Sequence, residues 1–159
     1  MTDLISTPPA PVSPEGSKVT TGAWWPDIDV NKVRDTVNLG GTTIAHDRVV
    51  SAIVAAVIEV TGELADWQAE QVAADKSDLV QVDPDRQVND EPLLVQLFVR
   101  AVTMHAAAEL ADRHQDLTAT REGTDRAEAR MNMADDFRRS AVRAIRAMTG
   151  ATGTMVDLV

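Results

Sequence analysis

The side chains able to do chemistry are few and scattered. The three histidines, His46, His105 and His114, have no cysteine to join them, because the chain has none. His105 and His114 stand nine positions apart, which places them on different faces of a helix. No His-Glu-x-x-His or comparable metal spacing occurs. Asp135 and Asp136 are adjacent, and helical neighbours one apart do not face each other. Glu59 and Glu63 share a face, but no helical histidine lies between them to complete a di-metal site. Gly40-Gly41 has neither the following lysine nor the preceding strand of a phosphate loop. Ser51 and Ser140 sit inside helical segments, not on a strained strand-to-helix elbow. The expectation is a chain without catalytic residues, metal or cofactor.

Two groups of residues point instead to binding. Arg138, Arg139, Arg143 and Arg146 crowd the end of the last helical segment. The plainest reading is that cations complement the negative end of the helix dipole and solvate the polar face. A second reading is pairing with an acidic surface across a subunit interface. A third is contact with phosphate, as in a helical DNA-binding packaging or regulatory protein. The other group is Trp24-Trp25-Pro26-Asp27-Ile28-Asp29, which holds two of the three tryptophans. Pro26 biases Trp25 toward extended geometry, and Asp27 or Asp29 can cap the helix that follows. The tryptophans either staple the preceding arm onto the body or anchor a partner, since Trp dominates interface hot spots.

Helical segments must position these groups. Residues 29–39 read as a short helix with Val30, Val33 and Val37 on one side, ended by Gly40-Gly41. Residues 45–74 read as one long helix, capped by Thr42 or Thr43 and favoured at its start by Asp47. Val50, Ile53, Val57, Val60, Leu64 and Trp67 recur at helical spacing and form a seam. Val54 and Ile58 widen it, so this helix is expected to touch partners on two sides. Residues 76–89 read as a loop with a turn at Asp83-Pro84-Asp85. A helix over 90–117 follows, with Pro92 in its first turn and a stripe of Leu94, Leu97, Ala101, Met104, Ala108 and Ala111. The last helix, 125–149, starts at a Thr124 cap and stops at Gly150, with Met131, Ala134, Phe137, Ala141, Ile145 and Met148 as its stripe. The fold class is therefore all-α: a small bundle of one short and three longer helices over 23–150.

The ends differ from the bundle. Residues 1–22 hold four of the seven prolines and read as an extended, flexible arm, too poor in apolar side chains to offset its ordering entropy. Residues 151–159 form a short tail ending Met155-Val156-Asp157-Leu158-Val159, unusually apolar for a chain end.

Composition sets the remaining bounds. The 159 residues suit one domain. The most apolar stretch is at 49–60, short of the roughly 20 residues of a membrane span, so it reads as a buried helix and no membrane partner is expected. No secretory signal stands at the start. Formal net charge is −10, distributed as −2 over 1–45, −9 over 46–117 and +1 over 118–159. An acidic middle argues against a general nucleic-acid binder. It serves solubility, or a surface that must not adhere to nearby DNA.

The run Trp24-Trp25-Pro26-Asp27-Ile28-Asp29, followed by Val33-Arg34 and Leu39, resembles the opening of head completion proteins of contractile-tailed bacteriophages. Thr43-Ile44-Ala45 with Arg48, and then Glu63-Leu64, continue the likeness, which covers most of the chain from residue 23. The loop at 76–89 matches only in length and polarity, and the arm only in character. The resemblance implies an adaptor of the head–tail connector in the virion neck, made in the cytoplasm of the host bacterium. Its partners would be the portal protein, the next neck or tail-terminator protein, and further copies in a ring, 12 in related adaptors. Packaged DNA would pass the channel without sequence-specific binding. The family carries no catalytic residues over. Candidate contact residues are Trp24, Trp25, Asp27, Asp29, Arg138, Arg139, Arg143, Met155, Val156, Leu158 and Val159.

Overall fold

A computed structural model describes residues 13–37, 44–116 and 124–150, with the backbone alone at 114–116 and 124–131. Its order is β1 (Lys18–Val19), β2 (Ile28–Asp29), α1 (Val30–Thr36), α2 (His46–Glu63), α3 (Ala65–Ala73), a 3-10 turn (Leu79–Gln81), β3 (Gln87–Val88), β4 (Glu91–Pro92), α4 (Leu93–Asp116) and α5 (Thr124–Thr149). The described residues are predominantly helical, with two short antiparallel ladders, β1 with β2 and β3 with β4. Gly40, Gly41, Thr42, Thr43 and Leu117, the first part of the arm and the tail from 151 lie outside them.

The centre is α4. Phe98, Ala101, Val102, Ala106 and Ala107 are all fully buried, so its apolar surface runs most of the way round. A helix of that kind belongs inside. Here α2 packs on one side of it and α5 on another. The stretch Leu93–Arg113, with a mean hydropathy of 1.4, is long and apolar enough to cross a membrane by length and composition, and half of it is buried within this fold. The sequence reading places the most apolar run at 49–60 instead, because Arg100, Thr103 and His105 interrupt the run in α4. A single stripe for this helix is likewise too narrow: Phe98, Val102 and Leu110 are buried off it.

The other helices are one-sided. On α1, Val30, Val33 and Val37 are buried as their spacing requires. On α5, Ala134, Ala141, Ile145 and Met148 are buried against α4, joined by Ala144. The small residues of both helices let the backbones approach closely. On α2 the buried row is Val49, Ala52, Ile53, Ala56 and Val60.

Four sequence expectations change. The helix expected over 45–74 breaks at Leu64, where α2 ends and α3 begins. Thr61 bonds back to the Val57 carbonyl at 2.7 Å, a contact that bends helices, and Gly62 beside it is a poor helix former. The α2 cap is Ala45, with no side-chain hydrogen bond, in place of Thr42 or Thr43. The loop expected over 76–89 carries a 3-10 turn and half a hairpin. Asn89 and Asp90 both take positive φ (54° and 61°), as a two-residue hairpin turn demands. That turn delays α4 to Leu93 and puts Pro92 on a strand.

Residues 13–22, assigned by proline content to the arm, lie on the body. Val19 is 9% exposed and pairs with Ile28 in the ladder. The Ser17 carbonyl accepts from Val30 N–H at 3.0 Å.

Candidate interaction surfaces

The Trp24–Asp29 segment is built into the core. Trp25 is 7% exposed, and its ring lies flat on Phe98 of α4. Trp24 stands edge-on to Trp25 with centroids 4.4 Å apart, and edge-on to Trp67 of α3 at 6.1 Å. Its indole N–H donates to the Lys76 carbonyl at 3.1 Å. Its own carbonyl accepts from Leu79 N–H at 3.1 Å. Trp24 thus ties the N-terminal segment to the end of α3 and the following turn. Thr21 closes the bend, its hydroxyl 2.9 Å from both the Trp25 and Pro26 carbonyls.

The two aspartates have local partners. Asp29 caps α1, its carboxylate accepting from Asn31 N–H at 2.9 Å and Lys32 N–H at 3.0 Å. Asp27 pairs with Lys18 across the first ladder at 2.7 Å. The hydrogen bond to Lys18, aided by its charge, holds the Asp27 carboxyl below its ordinary range; the same bond raises the Lys18 ammonium.

Beside this clasp runs an open groove of ≈ 540 Å³, lined in part by Trp24, Thr21, Val57, Ile58, Gly62 and Gln68. Sequence reasoning finds the tryptophans but not Thr21 or Gln68, which carry no periodic signal. It also misses a polar knot where Arg34 donates to Ser13 Oγ at 3.0 Å and to the Ile44 carbonyl at 2.7 Å, with His46 Nδ1 2.9 Å from the same hydroxyl. Arg34 at the end of α1 and Ser13 near the start of the described chain have no spacing that links them.

The arginines of α5 divide. Arg138 reaches Asp112 of α4, and Asp135 at 2.9 Å. Arg139 pairs with Asp136. Arg143 lies 3.4 Å from Ser140 Oγ. Among the described residues no carboxylate pairs with Arg143 or Arg146. The candidates Met155, Val156, Leu158 and Val159 lie outside the described residues.

The described titratable residues are held apart. Asp135 and Asp136 go to different arginines. His46 meets Ser13, while His105 Nδ1 lies 3.2 Å from Glu59 across α2 and α4. Among the described residues, no three His, Asp or Glu side chains could share a metal ion. Among the described residues, the geometry offers contact faces and a clasped N-terminal segment and no metal-holding cluster.

Comparison with known proteins identifies a family. A family model described as phage head completion protein (GPL) matches residues 19–159. The chain is 28% identical over 170 aligned positions to the head completion/stabilization protein of Escherichia phage P2, covering 100% of this chain and 99% of that one. No solved structure matches.

Proposed function

Because the chain belongs to the phage head completion protein (GPL) family, we propose that it is a structural subunit of the head–tail neck. In this reading it forms a ring on the portal vertex, closes and stabilises the DNA-filled head, and presents a surface for the next neck or tail protein. The family is a structural one, and head completion belongs to virion assembly.

The observation that carries the assembly role is the second face of α2. Val54 and Ile58 are 41% and 66% exposed on the side away from the buried row. Ile58 also lines the open groove beside Trp24, and contiguous exposed apolar surface of this kind supports an interaction role. The net charge of −10 suits a wall that DNA slides past, since like charge repels phosphate. The apolar tail residues Met155, Val156, Leu158 and Val159 would grip the portal.

Mass photometry of the purified chain, alone and with its portal, tests the reading. The expected result is a monomer or small oligomer alone and a ring-sized increment on the portal. No association under any condition overturns it. Ending the chain at Gly153 should leave melting unchanged and weaken portal attachment; unchanged attachment removes the tail from the mechanism. For the alternative, DNA binding through α5, two of the four arginines already hold carboxylates. A salt-dependent DNA shift lost on Arg139→Glu with Arg143→Glu would favour that reading instead.

A further inference from the structure

We propose that the tip of the β3–β4 hairpin of one copy seats on the exposed face of α5 of the next, so that copies join head to tail. This rests on the assembly role proposed above and assigns the surfaces that perform it.

The hairpin is exposed at every residue from Pro84 to Glu91, and Val88 keeps 52% of its surface in water. Residues 83–91 hold four acids, Asp83, Asp85, Asp90 and Glu91, against one base, Arg86. Among the described residues none of the four acids pairs with a cation. Positive φ at both Asn89 and Asp90 makes a two-residue turn of the primed kind. Val88 and Glu91 are therefore direct partners, with side chains on one face and about 5 Å apart. Asp90 stands next to Glu91 at the tip. The Gln96 amide of α4 donates to the Val88 carbonyl at 2.6 Å and to the Glu91 carbonyl at 3.0 Å, which fastens the hairpin to the central helix.

The exposed face of α5 carries a matching pattern. Val142 is 37% exposed and stands four residues before Arg146; Arg143 stands three before it. Each of these helical neighbours is about 5–6 Å from Arg146. All three are exposed, and among the described residues neither arginine pairs with a carboxylate. With Val88 placed on Val142, the spacing across the hairpin brings Glu91 to Arg146, and the tip brings Asp90 to Arg143.

Charge complementarity selects a second copy as the occupant. DNA phosphate would satisfy the arginines but is repelled by the hairpin, whereas one further copy answers both surfaces at once. The patch is far smaller than the roughly 1,200 Å² of a stable free complex. The contact is therefore weak between free chains and forms where the portal holds copies side by side, at high effective concentration. Because the two surfaces differ, the contact is heterologous, and such contacts generate rings or filaments, not closed two-fold dimers.

The chain has no cysteine, so disulfide trapping on the full-length protein tests the contact directly. Val88→Cys in one chain and Val142→Cys in another are mixed at high concentration, with and without portal, and mildly oxidised. Mixed dimer should exceed either homodimer several-fold and should fall with added salt, which screens exposed charges. Arg146→Glu in the Val142→Cys chain should abolish the excess, and Glu91→Arg in the Val88→Cys chain should restore it. Asp90 is left in place, because its positive φ of 61° favours Asp or Asn. Circular dichroism of each variant verifies folding, since every substituted position is exposed. A loss that the charge swap recovers is not misfolding. Mixed dimers no more abundant than homodimers in both arms overturn the proposal, as do mixed dimers indifferent to Arg146→Glu or not restored by the swap. Rings on the portal that lack this cross-link sink the contact alone. Cross-linked mixed dimers from a chain that never binds portal sink the neck reading alone.

Discussion

The Trp25 ring lies on the Phe98 ring with centroids 4.6 Å apart and planes 16° from parallel. A residue near the start of the chain is thereby stacked on the middle of the central helix. The contact joins segments 73 positions apart in sequence, and both rings are buried. The N-terminal segment is consequently part of the core that holds α2 and α4 in register.

Removing that ring should be costly. Trp25→Ala should lower unfolding free energy by about 3–5 kcal/mol, the range for a large aromatic deleted from a core. Trp24→Ala should cost less, because Trp24 is half-buried and the Lys76 carbonyl that loses its indole donor can bond water instead. Urea unfolding of the two variants checks the order. Equal midpoints for Trp25→Ala and wild type would place Trp25 outside the folding core.

Capping of α1 is a second, smaller contribution. Asp29→Ala should cost about 1 kcal/mol, the usual value of an N-cap, since Asn31 and Lys32 N–H groups both lose their acceptor. Asp29→Asn should retain most of the stability, because the amide oxygen still accepts. If chemical denaturation separates Asn from Ala by nothing, the cap is not what Asp29 contributes.

How far the sequence reveals this architecture depends on whether the signal is local. Val30-Val33-Val37 and the α5 stripe depend only on helical spacing, and each of their described members is at least half-buried. The bend at Leu64 has no proline to announce it; it needs the Thr61 back-bond and Gly62 acting together. The hairpin at Asn89-Asp90 is hidden because a polar loop and a two-residue turn have the same composition. Residues 13–22 look extended as the end of a proline-rich arm, yet Val19 finds Ile28 and Ser13 finds Arg34, contacts that no spacing rule supplies. The same applies to the candidate contact residues. Trp24, Trp25 and the arginines stand out by type, whereas the division of arginines into paired and open ones depends on Asp112, a residue on another helix.

The Lys18–Asp27 pair sets a pH dependence of definite sign. Asp27 is depressed in the folded chain, so its contribution is complete above the unfolded value of about 3.9 and is lost as pH falls through the folded one. Lys18 is raised, so its contribution is complete below about 10.4 and is lost as pH rises through its folded value. The stability difference between wild type and Asp27→Asn should therefore be flat across neutral pH and shrink at both extremes. Urea midpoints measured from pH 3 to pH 11 test this, and a difference that grows toward low pH contradicts it.

Arg138 and Arg143 are five residues apart on α5 and should behave differently. Arg138 bridges α5 to Asp112 of α4, with both side chains nearly half exposed (47% and 43%). Water screens such a pair, so a double-mutant cycle with Arg138→Ala and Asp112→Ala should give a coupling of about 0.2–1 kcal/mol that weakens with added salt. Arg143→Ala should change stability by less than about 0.5 kcal/mol, as for surface substitutions away from any paired group. If Arg143→Ala instead destabilises the isolated chain as much as Arg138→Ala, Arg143 serves the fold and is not held open for a neighbour. If it leaves melting unchanged and impairs assembly, its charge is spent between chains, where Arg138 spends its charge within one.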